Sequence, residues 1–205
     1  MRSWMAFLVL LGLGSAGGET VGAYLTQGGH YTQGFDFNLG FLSSVPQASA
    51  RAESRFGARV GLSYEPDPIP LHAFRLPLNL ALLYATKAVA MNGTRWTFSE
   101  AALQVLVHHP VHPRLAWLEP ALFISPHYTF DLILSGSGGN IPAGQSLENR
   151  FSADAGAGLL LTLSVLQARL YYAQNLIRQA EPTNLTVSSF GADLLLPLSR
   201  KRKAP

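Results

Sequence analysis

The segment QGFDFNLGFL, residues 33–42, repeats with a period of two: Phe35, Phe37, Leu39 and Phe41 share one parity, and Gly34, Asp36, Asn38 and Gly40 share the other. Successive side chains of an extended strand point to opposite faces, so this stretch has one apolar face and one small, polar face. The same alternation returns in FGARVGLSYE (56–65), FRLPLNLALLYATK (74–87) and FSADAGAGLLLTLS (151–164). It returns less evenly in residues 95–109, 115–131, 166–177 and 185–198. Helical spacing fits none of these segments. About eight strands of this length make an all-β chain, and an even number of them suits an antiparallel up-and-down barrel.

Two barrels share this pattern. In a soluble, lipocalin-like carrier the apolar parity points inward and encloses an apolar ligand. In a transmembrane barrel it faces lipid and the charges meet inside. Charged residues are 13% of the 205-residue chain, against about 25% in ordinary soluble domains. A soluble barrel would present an outer face of Gly, Ser, Asn and Gln, a poor solubilising surface. The polar parity is rich in glycine, which suits a narrow lumen, and aromatic residues gather near strand ends as they do at membrane interfaces (Phe35, Phe56, Tyr64, Phe74, Tyr84, Phe151). These features favour an eight-stranded antiparallel up-and-down transmembrane β-barrel.

The ends agree with that reading. Arg2 precedes the apolar run WMAFLVLLGL, and Gly14-Ser15-Ala16 supplies small residues for cleavage. Residues 1–16 therefore read as a signal peptide, too short to span a membrane. Residues 17–32 form either a periplasmic lead-in, the favoured reading, or an extra strand. The barrel occupies 33–198, and 199–205 (SRKRKAP) form a basic tail, read as a solvated end. The absence of cysteine leaves stability to pairing and packing. The net charge of +3 is concentrated at the ends, so the body lacks the basic surface that nucleic acid requires.

LALLYATKAVA in the third strand, TFSEAALQVLVHHP in the fourth, LQARLYYA in the seventh and SSFGADLLLPL in the closing strand resemble the PorT-like small outer-membrane barrels, of OmpA/OmpX-type architecture. Such barrels usually end on an aromatic residue, whereas this chain adds SRKRKAP. The resemblance implies a cell outer membrane location.

In a lumen just wide enough for side chains, the inward charges Asp36, Arg59, Glu100, Glu119, Asp154, Arg169 and Asp193 should form a network, with Arg59 and Arg169 pairing the carboxylates. Such a network reads as a plug that fixes register rather than a pore. His108 and His109 point to opposite faces and His112 lies in a turn, so no metal site is expected from VHHPVHP. His127-x-Thr129, with Asp131 nearby, has the one-face spacing of a nucleophile and its base, as in lipid A deacylase-like barrels. Thr stands where those enzymes use Ser, and the favoured expectation is no enzyme activity and no cofactor. The chain is expected to be a monomer that meets outer-membrane lipid along its wall. A surface or envelope partner would bind loops 43–55 and 132–149.

Overall fold

The computed structural model describes residues 32–46, 52–71, 74–91, 94–109, 115, 117–136, 146–147, 150–163, 166–177, 180–181 and 186–202. The expected signal peptide, residues 1–16, and the expected lead-in, residues 17–32, lie outside them except for Thr32, which opens the first strand, and His112 lies outside them too. Eight long strands carry the alternating segments. They are β1 (Thr32–Pro46), β2 (Ala52–Glu65), β3 (Leu78–Met91), β4 (Thr94–His108), β5 (Leu118–Gly136), β6 (Phe151–Leu163), β7 (Leu166–Asn175) and β8 (Val187–Arg202). Each pairs antiparallel with its neighbours in sequence, and β1 pairs with β8 to close the barrel. This is the expected up-and-down topology.

Closure leaves no open edge around the body of the wall, which satisfies backbone groups without water. Both chain ends of the barrel lie at one rim, where Thr32 pairs with Arg202. We call this the terminal rim and the opposite one the loop rim. Register shifts occur at Phe35/Asp36 on β1, at Ser54/Ala58 on β2 and at Ser99/Glu100 between β4 and β5. Such bulges increase local twist and bend the sheet.

The parity question has a direct answer. Phe35, Leu39 and Phe41 are 50%, 45% and 67% exposed, whereas Asp36 and Asn38 are each 1% exposed. Phe56, Leu62, Leu82, Leu103, Phe151, Leu170, Phe190 and Leu198 also face outward. The barrel is apolar outside and polar inside, the reverse of a soluble carrier.

Several boundaries differ from the sequence expectation. The third strand begins at Leu78, because Pro77 lacks the N–H that a continuous ladder needs. Phe74–Leu76 instead pairs with Ile69–Leu71 as a small hairpin at the terminal rim. The strands also reach further toward the loop rim than expected. β1 and β2 take residues 43–46 and 52–55 out of the first loop, and β5 takes Leu132–Gly136 out of the third. Ser146–Leu147 and Ala180–Glu181, from two different loops, pair across that rim. Long and short connections occur at both rims: the terminal rim carries the long connection 66–77 and the loop rim the short one at 92–93. β8 runs through the first four residues of the expected tail, with Ser199, Arg200, Lys201 and Arg202 in register with β1.

Candidate functional site: the lumen

The inward side chains form layers because cross-strand register sets their heights. In the middle layer Asp193 pairs in register with Arg169 of β7 on one side and with Gly40 of β1 on the other, and Gly40 in turn pairs with Arg59 of β2. Gly40 is essential to this arrangement: a Cβ there would collide with the Asp193 carboxylate. With that space open, Arg59 reaches across β1, and its Nε donates to Asp193 Oδ1 at 3.1 Å while its Nη2 donates to Oδ2. Arg169 donates through Nε to Oδ2 at 2.9 Å and also through Nη2. One carboxylate thus holds two guanidinium groups. Arg169 Nη1 donates to Gln104 Oε1 at 2.5 Å, and Arg59 stacks over the Tyr171 ring at 4.3 Å from its centroid.

A second layer lies toward the loop rim. Lys87 Nζ sits 2.9 Å from Glu100 Oε2 and 2.6 Å from Asp154 Oδ2. Asn175 Nδ2 donates to Asp154 Oδ1 at 3.1 Å, and His127 Nε2 lies 3.6 Å from Glu100 Oε1. All of these side chains are buried in the lumen. Burial of unpaired charge would cost several kcal/mol per ion, so the multiple contacts to each carboxylate are what make the layer tenable.

A third layer closes the terminal rim. His108 is held between two carboxylates, with Nδ1 2.5 Å from Glu119 Oε2 and Nε2 3.8 Å from Glu65 Oε1. Glu119 stands on the next strand, which pairs with that of His108, whereas Glu65 comes from β2, distant in sequence. The two acids approach opposite ring nitrogens, so they clamp the imidazole and do not converge on a common point. Among the described residues no group of three His, Cys, Asp or Glu side chains has the geometry to hold a metal ion.

Above the Lys87 layer the lumen turns apolar. Val89, Trp96, Phe98 and Val187 form a buried cluster, with Leu132 and Leu134 packed against it. Trp96 and Phe98 stack at 6.5 Å between ring centroids. Both keep the inward parity of Glu100 without a register shift in β4, because the bulge falls on β5, where Asp131 turns outward after Thr129. Deeper in the barrel, Phe123 meets Tyr171 edge-on at 5.8 Å. Gly156 and Gly191 leave room for those two rings, since a Cβ at either would strike Phe123 or Tyr171.

All seven charges expected in the lumen are therefore placed on its wall. Arg59, Arg169 and Asp193 meet in one layer, Glu100 and Asp154 in the next and Glu119 at the terminal rim, while Asp36 is buried beside Ser63. Lys87, the cation that joins Glu100 to Asp154, was not singled out from sequence, although it lies on the polar parity of its strand. His127 and Thr129 share the lumen face as their spacing implies, but both are buried behind the barrel wall and Asp131 is exposed.

A closed eight-stranded antiparallel barrel with an apolar exterior and a charge-filled lumen is the class that this geometry defines. No family model matches the chain, and neither does any curated protein. Its fold is similar to that in the crystal structure of Neisserial surface protein A (NspA), with a TM-score of 0.57 and 13% identity over 81% of this chain and 98% of that one. A weaker likeness links it to the outer membrane enzyme PagL, with a TM-score of 0.39 and 12% identity over 78% of this chain and 99% of that one.

Proposed function

We propose that this chain is a non-conducting, non-catalytic barrel of the cell outer membrane, a scaffold that presents its loop rim to a surface or envelope partner. The observation that carries the reading is the inversion of polarity: large apolar side chains outside, three layers of paired charge within. Lipid is the solvent in which such a surface is stable. Among the described residues the lumen is filled by paired charges and an aromatic cap, which argues against a soluble carrier of an apolar ligand. Stacked ion pairs under a Trp-Phe cap argue against an open pore. The segments in β3, β4 and β7 that resemble PorT-like barrels support a place near that family.

With the termini facing the periplasm, the loop rim faces outward. Its partner-binding parts are then residues 47–51 and 137–149, the portions of the two expected loops outside the long strands, the second of which includes Ser146–Leu147, paired with Ala180–Glu181 of the connection after β7. Fractionation of cells expressing the full chain, followed by electrophoresis with and without heating, tests the reading. We expect recovery in the outer membrane and a band that shifts on heating. A soluble band without a heat shift would overturn it. The non-catalytic part is tested separately: His127→Ala should leave the acylation of lipid A unchanged, and a change that depends on His127 would assign the barrel a reaction.

A further inference from the structure

Between the Asp193 layer and the Lys87 layer the lumen contains a cavity of about 20 Å³. Arg59, Lys87, Glu100, Asp154, Gln104 and Tyr171 contribute to its lining. Two of the lining residues carry a polar side-chain atom that is buried without a hydrogen-bond partner among the described residues: Gln104 Nε2 and Tyr171 Oη. Neither side chain is free to turn away. Gln104 is anchored through its oxygen by Arg169, and the Tyr171 ring is fixed by Arg59 on its face and by the edge-on contact with Phe123. An unmatched buried donor costs roughly 1–3 kcal/mol, so two beside one cavity call for a shared partner.

We propose that this cavity is a binding site for a single ordered water molecule, which accepts from Gln104 Nε2, bonds to Tyr171 Oη and ties the two ion-pair layers into one network. Size sets the stoichiometry. A cavity needs about 10–15 Å³ to hold one water, and a buried water makes about three hydrogen bonds. The site has space for one and not for a hydrated ion. Charge selects the ligand class: Arg59 and Lys87 are balanced by Glu100 and Asp154, which leaves no excess of either sign to hold an ion. The two carboxylates supply acceptors for the remaining water protons. The site belongs to the folded barrel and does not depend on where the protein resides in the cell.

The test uses the full chain, isotope-labelled and folded in detergent micelles. Magnetisation transfer from water to the Gln104 side-chain amide should have the sign of a long-lived bound water. It should weaken in Tyr171→Phe while the backbone spectrum of the barrel is otherwise kept. No transfer in the wild type, or transfer of full strength in Tyr171→Phe, would overturn the proposal. Should that variant fail to fold, a high-resolution crystal structure of the wild type decides. One density peak within roughly 3.2 Å of both atoms is expected. A dry cavity, or an anomalous signal there after soaking in rubidium or bromide, would refute it.

Discussion

Asp193 is the residue on which most of the lumen depends, because two guanidinium groups share its carboxylate inside the barrel. Removing one partner of a buried ion pair leaves charge without solvent or counter-charge, which costs about 3–5 kcal/mol. Asp193→Ala should therefore lower unfolding stability by about that amount, read as the urea midpoint of the barrel refolded into lipid vesicles. The triple replacement Arg59→Met, Arg169→Met, Asp193→Leu should recover most of the loss, since buried ion pairs exchanged for apolar groups of similar volume are close to neutral. A loss below about 1 kcal/mol in the single variant would mean that water reaches these groups and solvates them. The individual charges were legible in the sequence because each sits on the polar parity of its strand. Their partners were not. Arg59 meets Asp193 across Gly40, and Lys87 meets Asp154 from a strand far along the chain, contacts that follow from register and closure.

At the scale of the strand, period-two patterning fixed both the element type and the outward-facing side for most of the chain, because one face must be uniformly apolar. It failed where a local rule intervened. Pro77 ended a ladder that the leucines alone would have continued, and Trp96 and Phe98 belong to an inward apolar cap that parity reads as an anomaly. The outward parity carries its own prediction, graded by depth. Leu39 lies at the middle of β1 and faces outward, and Ser199 is exposed on β8 near the terminal rim. In lipid vesicles Leu39→Arg should cost about 2–4 kcal/mol and Ser199→Arg about 0–1 kcal/mol. Equal effects at the two positions would mean that no hydrocarbon layer surrounds the barrel.

For the whole molecule, the lumen is closed three times over: by the His108 clamp at the terminal rim, by the two ion-pair layers in the middle, and by the Trp96–Phe98 cap toward the loop rim. These closures differ in chemistry, so no single condition removes them all. Salt weakens exposed ion pairs but reaches buried ones poorly, and an apolar constriction resists ions by excluding water. Opening the barrel therefore requires losses at more than one level. In planar bilayers the wild-type barrel should show no stepwise conductance at high salt. Trp96→Ala with Phe98→Ala should remain silent, because the Lys87 layer still fills the lumen beneath the cap. Adding Lys87→Ala and Glu100→Ala to that pair should leave the barrel silent as well, provided that it still shifts on heating and so is folded, because the Asp193 layer and the His108 clamp still fill the lumen below. Steady conductance from the cap variant alone would place the barrier wholly in the two aromatic rings and leave the ion-pair layers a role in stability only.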